Sequence, residues 1–118
     1  MIDHLSIGVS NLAKSKQFYQ AALEPLGYTV KIEMDHGVCF GSDAGDFWIV
    51  KSTPSNIHIA FAAQNREIVD QFYQAAMKAG AVDNGAPGLR PHYHEHYYGA
   101  FVFDPDGYNI EAVCHKEN

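Results

Sequence analysis

Gln17-Phe18-Tyr19-Gln20-Ala21-Ala22 returns as Gln71-Phe72-Tyr73-Gln74-Ala75-Ala76, six identities in a row at an offset of 54 residues. The same offset lays His4-Leu5 on His58-Ile59 and Asn11 on Asn65. Self-similarity at a fixed spacing marks a duplicated structural unit and decides architecture before any single element does. Nearer the C-terminus the offset grows to 62, which places Ser42-Asp43-Ala44-Gly45 on Asp104-Pro105-Asp106-Gly107. The second copy therefore carries about eight extra residues between Gly80 and Phe101.

Each copy reads as a strand, an amphipathic helix and three further strands. In the first strand Leu5, Ile7 and Val9 leave one face and His4, Ser6 and Gly8 the other. Ile57, Ile59 and Phe61 repeat the apolar face and His58, Ala60 and Ala62 the other. Asn11 and Asn65 sit where helix N-caps belong. Leu12, Tyr19, Leu23 and Leu26, and Ile68, Phe72, Ala75 and Ala76, supply the apolar stripes. Pro25 with Gly27 stops the first helix and Gly80 the second. The expected fold is α+β: two paired βαβββ units whose mixed sheets curl around a central cavity, with helices on the outside. It is expected as a single domain over residues 1–118, with units at about 1–52 and 55–115 joined at Lys51-Ser52-Thr53-Pro54-Ser55. Units of this size need a partner to bury their second face, so a homodimer is expected.

At 118 residues with 47% apolar content, the chain is long enough for a real core. Eight Lys and Arg against fourteen Asp and Glu give a charge of −6, so there is no electrostatic footprint for nucleic acid or an anionic membrane. No apolar run reaches the roughly 18 residues of a membrane span. The opening Met1-Ile2-Asp3-His4 carries an acid where a secretory signal would carry bases, which leads to the expectation of a cytoplasmic protein. Cys39 and Cys114 are too few for a disulfide framework and too far apart for a CxxC site. They read as small buried hydrophobes.

After Asp104-Pro105-Asp106-Gly107 the last strand runs Tyr108-Asn109-Ile110-Glu111-Ala112-Val113. Ile110 and Ala112 take the helix side, which sends Glu111 to the face shared with His4 and His58. A carboxylate on an inner face is costly unless it is paired or coordinated. Two imidazoles and one carboxylate converging there would make a 2-His-1-carboxylate site for a divalent metal, with positions left open for substrate.

The His-bearing opening strands, the paired βαβββ units and the close Asp104-Pro105-Asp106-Gly107-Tyr108-Asn109-Ile110-Glu111 resemble the vicinal oxygen chelate superfamily over essentially the whole chain. That superfamily includes glyoxalase I, extradiol dioxygenases, fosfomycin-resistance thiol transferases, methylmalonyl-CoA epimerase and bleomycin-binding proteins. The resemblance implies metal ligands at His4, His58 and Glu111, holding Fe, Mn, Ni or Zn. It implies a lyase, isomerase or dioxygenase acting on a small substrate with vicinal oxygens. Glyoxalase I draws a second acid from its first half, and with the offset of 62 that position is Ile49, which cannot ligate. Arg90 is the only cation between Lys78 and Lys116, which weighs against a phosphonate-binding thiol transferase. The other alternative is a metal-free binding protein of the bleomycin-resistance type.

The eight-residue excess contains Arg90-Pro91-His92-Tyr93-His94-Glu95-His96-Tyr97-Tyr98. As a loop over the metal it would supply acid/base groups, and Tyr97, Tyr98 and His94 are expected to face the site with Glu111. Strand alternation would put His92, His94 and His96 on one side and Tyr93, Glu95 and Tyr97 on the other. Phe47, Ile49 and Cys39 are expected to line the substrate pocket, with Trp48 turned to the helix layer.

Overall fold

The computed structural model describes residues 2–117. The element order is β1 (Leu5–Val9), α1 (Leu12–Leu23), β2 (Thr29–Met34), β3 (Gly37–Gly41), β4 (Gly45–Lys51), β5 (His58–Ala62), α2 (Arg66–Lys78), β6 (Val82–Leu89), β7 (Tyr98–Phe103) and β8 (Asn109–Cys114). The repeat is thus βαβββ twice. The sheets have the orders β1-β4-β3-β2 and β5-β8-β7-β6. In each, the opening strand lies parallel to the closing one, and the other pairs are antiparallel.

Both helices start where the caps predict. Asn11 Oδ1 accepts from the Lys14 amide at 3.0 Å and Asn65 Oδ1 from the Ile68 amide at 2.9 Å, satisfying amides that have no partner within the helix. α1 ends in a 3-10 turn at Glu24–Leu26, closed by Gly27 at φ +84°, and Gly80 at φ +98° follows α2. A side chain would be strained at either glycine.

Each helix covers one face of its own sheet, and these two faces share one core. Tyr19, fully buried on α1, stands edge-on to Phe47 of β4 at 5.2 Å. Phe47 meets Phe61 of β5 at 5.3 Å across the boundary between the halves, and α1 touches α2. The Asp104–Gly107 turn ties the halves a second time. Tyr19 Oη donates to Asp104 Oδ2 at 2.5 Å, Ser10 Oγ donates to Asp106 Oδ1 at 2.5 Å, and the Tyr108 hydroxyl donates to the Gly8 carbonyl. Because the helix sides converge on this common core, the other face of each sheet, here called its open face, points away from it.

Candidate active site

The phase of β8 is set by the turn before it. Asp104 Oδ1 accepts from the amides of Asp106 and Tyr108, both at 2.8 Å, and Gly107 takes φ +83°. From there Ile110, Ala112 and Cys114 enter the core, and alternation sends Asn109, Glu111 and Val113 to the open face. β5 runs alongside, with His58 opposite Asn109 and Ala60 opposite Glu111.

Glu111 is 1% exposed. His58 Nε2 lies 3.0 Å from Oε1, and the Tyr97 hydroxyl donates to Oε2. His58 Nδ1 donates to the Asn109 carbonyl, 2.9 Å away, because a carbonyl only accepts. A proton therefore sits on Nδ1, which orients the ring and leaves Nε2 directed at the carboxylate. Phe101, directly opposite Glu111 on β7, stacks with the His58 ring at 6.2 Å and 21°. Gly99 makes the meeting possible, since a Cβ there would stand 3.2 Å from both Glu111 Oε2 and Tyr97 Cε1. Burial, then the hydrogen bond to Glu111, pushes the Tyr97 hydroxyl well above the ordinary tyrosine value, so it stays a donor.

The donor set suits a divalent cation in part. With Nδ1–H held by a carbonyl, His58 Nε2 meets Glu111 Oε1 through a shared proton, and a divalent cation taking that proton's place would be held by the imidazole and the buried carboxylate together. Asn109 Oδ1, buried next to His58, has no hydrogen-bond partner. His4 does not join them. Among the described residues no three His, Cys, Asp or Glu side chains gather in a ligand cluster. His4 is exposed and bonded to Asp3 at 2.8 Å. The expected convergence of His4 and His58 is thus not seen within one chain, because the halves meet through their helix sides.

Other expectations fall on the opposite side of a strand from where they were placed. Phe47 and Ile49 are buried in the helix-side core, so neither lines the open face. Trp48 lies between them, partly exposed, and is paired with Cys39. Cys39 does lie on the open face, buried beneath it, and a Cβ on Gly45 would stand 2.4 Å from its sulfur. The ladder register also corrects the offset. Ser6 pairs with Trp48 as Ala60 pairs with Glu111, so the first-half counterpart of Glu111 is Trp48 rather than Ile49.

Tyr98 turns to the helix side, donating to Asp70 of α2 at 2.6 Å beneath the Arg66 guanidinium. Residues 91–97 form turns rather than a strand, so the expected alternation does not hold. His94 touches the edge of the Tyr97 ring and bonds to His115 at 2.7 Å, one ring removed from Glu111. Strand alternation places Asn109 on the open face with Glu111, as the sequence predicts, whereas Phe101 and Arg90 were not singled out for it. The period-two pattern counted forward from Gly99 would have marked Phe101.

A model of the Glyoxalase/Bleomycin resistance protein/Dioxygenase superfamily matches residues 1–112. Among curated proteins, none matches the chain. A glyoxalase/bleomycin resistance protein from Albidiferax ferrireducens is 32% identical with a TM-score of 0.84, over 97% of this chain and 98% of that one. A glyoxalase/bleomycin resistance protein/dioxygenase family enzyme from Burkholderia phytofirmans shares the fold at 16% identity and TM-score 0.76, over 97% and 98%. A lactoylglutathione lyase from Agrobacterium tumefaciens shares it at 14% identity and TM-score 0.73, over 97% and 92%. With its duplicated βαβββ plan and a family match over nearly its whole length, this chain belongs to the glyoxalase/bleomycin resistance protein/dioxygenase superfamily.

Proposed function

We propose that the protein is a divalent-metal-dependent lyase, isomerase or dioxygenase acting on a small cytoplasmic substrate with two adjacent oxygens. Its site would be completed in a homodimer by the partner subunit's His4. The observation that carries this reading is the buried Glu111 beside His58, whose Nδ1–H is fixed on the Asn109 carbonyl. Stable burial of a carboxylate in this position is costly without a partner, and its neighbours orient it rather than neutralise it permanently.

A bound divalent ion supplies Lewis-acid polarisation of adjacent substrate oxygens. His58 and Glu111 would hold it. Tyr97 keeps its proton and fixes Glu111 Oε2, leaving Oε1 beside His58 Nε2. Phe101 forms an apolar floor under His58 that limits water around the reacting oxygens. The second reading, a metal-free binding protein of the bleomycin-resistance type, draws on one observation: both oxygens of Glu111 already have a partner in the chain.

Elemental analysis of tag-free protein tests the choice. About one Fe, Mn, Ni or Zn per chain is expected in the wild type and none in Glu111→Gln. Mixing inactive His4→Ala and Glu111→Ala chains tests the shared site. Heterodimers would carry one intact site out of two and recover metal, whereas a site within one chain would recover none. Equal metal in the wild type and in Glu111→Gln would refute the assignment, and a metal-free protein that still binds ligands would leave the binding-protein reading.

A further inference from the structure

β6 has an unusual composition for a strand. Val82-Asp83-Asn84-Gly85-Ala86-Pro87-Gly88-Leu89 holds few of the branched and aromatic residues that favour strands, and its ladder with β7 slips on either side of Gly85. Arg90 folds back over this irregular stretch. Its Nη2 donates to the Ala86 carbonyl and its Nη1 to the Gly88 carbonyl, both at 2.8 Å. The guanidinium carbon lies 5.3 Å from the centre of the Phe101 ring, a cation–π distance. Two glycines leave the room it needs, since a Cβ on Gly85 would stand 3.1 Å from Nη2 and one on Gly88 3.2 Å from Nη1. Gly85 pairs with Phe101, and Phe101 with Glu111, so the seated guanidinium lies on the open face that carries Glu111.

This seat orients the cation without neutralising it. Among the described residues no carboxylate lies within 4.0 Å of Arg90. Carbonyls take two of its five N–H donors and three are left. In a chain of net charge −6, a partly buried arginine with no acidic partner is held by packing and carbonyls alone. A rigid planar fork with free donors matches the geometry of a carboxylate, which it can bind through two parallel hydrogen bonds.

We propose that Arg90 recognises a carboxylate on the small molecule that occupies the open face, so the substrate is an acid bearing a carboxylate besides its two adjacent oxygens. Only the adjacent oxygens rest on the proposed metal site; the carboxylate subsite stands on Arg90, Phe101 and the two glycines.

Two pairs of probes separate these parts, with dissociation constants read by calorimetry on the protein as purified. Benzoate against benzamide reads the carboxylate subsite alone, and 3,4-dihydroxybenzoate against catechol adds the adjacent oxygens. Wild-type protein is expected to bind each acid at least about tenfold tighter than its neutral partner, the size of a charge-assisted contact. Arg90→Gln is expected to bring both ratios to about one, and Arg90→Lys to keep part of the preference. Gly88→Ala retains the charge but crowds Nη1, and its ratios are expected to fall severalfold; it carries the test if Arg90→Gln does not fold. Ratios near one in the wild type, a preference that survives in Arg90→Gln, or binding of no acid would overturn the proposal. If benzoate is preferred through Arg90 while the added hydroxyls contribute nothing, the carboxylate subsite stands and the metal-site reading fails.

Discussion

On the open face of the first sheet stand Trp48, Cys39 and Ile32; on that of the second stand Glu111, His58, Asn109 and Phe101. Duplication supplied the same backbone twice, yet the buried carboxylate with an imidazole and a phenol against it lies in the second copy. The difference follows from what each strand can satisfy. Glu111 is buried where His58, Tyr97 and the bare Gly99 surround it with donors and space. At the corresponding position Trp48 lies opposite Ser6 and Cys39, neither of which provides a counter-charge. A buried carboxylate persists only where its surroundings make it affordable in hydrogen bonds, so a repeated fold does not imply a repeated site.

The turns before β4 and β8 differ in the same manner and give the largest expected effect. A Cβ on Gly41 would stand 1.8 Å from the Ala44 carbonyl oxygen, whereas one on Gly107 meets nothing within 4 Å and strains only its φ of +83°. Gly41→Ala is expected to destabilise by about 3 kcal/mol or more, because backbone must move. Gly107→Ala is expected to cost about 1 kcal/mol. Urea denaturation of both variants checks this, and equal losses would show that the first turn is not the tighter one.

Tyr19 and Tyr73 occupy equivalent positions in the repeat, yet Tyr19 crosses to Asp104 of the other half and Tyr73 bonds to Asp83 of its own. Tyr19→Phe leaves a buried carboxylate short of a donor and is expected to cost roughly 1–3 kcal/mol. Tyr73→Phe, at an exposed pair, is expected to leave the unfolding midpoint unchanged. A large loss from Tyr73→Phe would reverse the order of the two tyrosines.

At the open faces the comparison sharpens into chemistry. Tyr97→Phe removes the donor to Glu111 Oε2 and is expected to weaken the proposed metal binding by about tenfold, as loss of an outer hydrogen bond to a ligand does. Trp48→Phe, at the first-half counterpart of Glu111, should leave metal affinity within about twofold on the same scale. Competition against a chelator of known affinity measures both. A larger loss from Trp48→Phe would move the site onto the first sheet.

The repeat, the caps and the helix stops were legible because local rules act there without competition: the six-residue identity, Asn11 and Asn65, and Gly27 and Gly80 all stand where they were read. Glu111 and His58 meet on one face because strand parity runs unbroken from the Asp104–Gly107 turn. Parity was lost at Phe47, Trp48 and Ile49. The irregularity between Phe40 and Gly41 sits beside a turn whose alignment with Asp104–Gly107 was one residue out, and in a strand one residue exchanges the faces. Tyr97 and Tyr98 divide similarly, since the strand begins at Tyr98 and the turns before it carry no period of two. The convergence of His4 with His58 was beyond the sequence for another reason: pseudo-symmetry fixes equivalent positions, and does not fix which faces of the two units are pressed together.

The smallest expected effect compares one tyrosine from each half at high pH. Burial and a hydrogen bond to Asp46 raise the Tyr28 hydroxyl to about 12, and burial and a hydrogen bond to Asp70 raise Tyr98 to about 12. Each folded value lies above the ordinary 10.0, so the stability each contributes is fully present below pH 10 and is lost as pH rises toward 12. The wild type is therefore expected to weaken between pH 10 and 12. Tyr28→Phe and Tyr98→Phe should each flatten that decline, by similar amounts if the two latches are equivalent. Unfolding midpoints measured from pH 8 to 12 decide it. A decline that only Tyr98→Phe flattens would place the alkaline weak point in the second half, whereas one that neither variant alters would assign it to Tyr19 or Tyr97, whose hydroxyls are also pushed upward by burial and by their carboxylate partners.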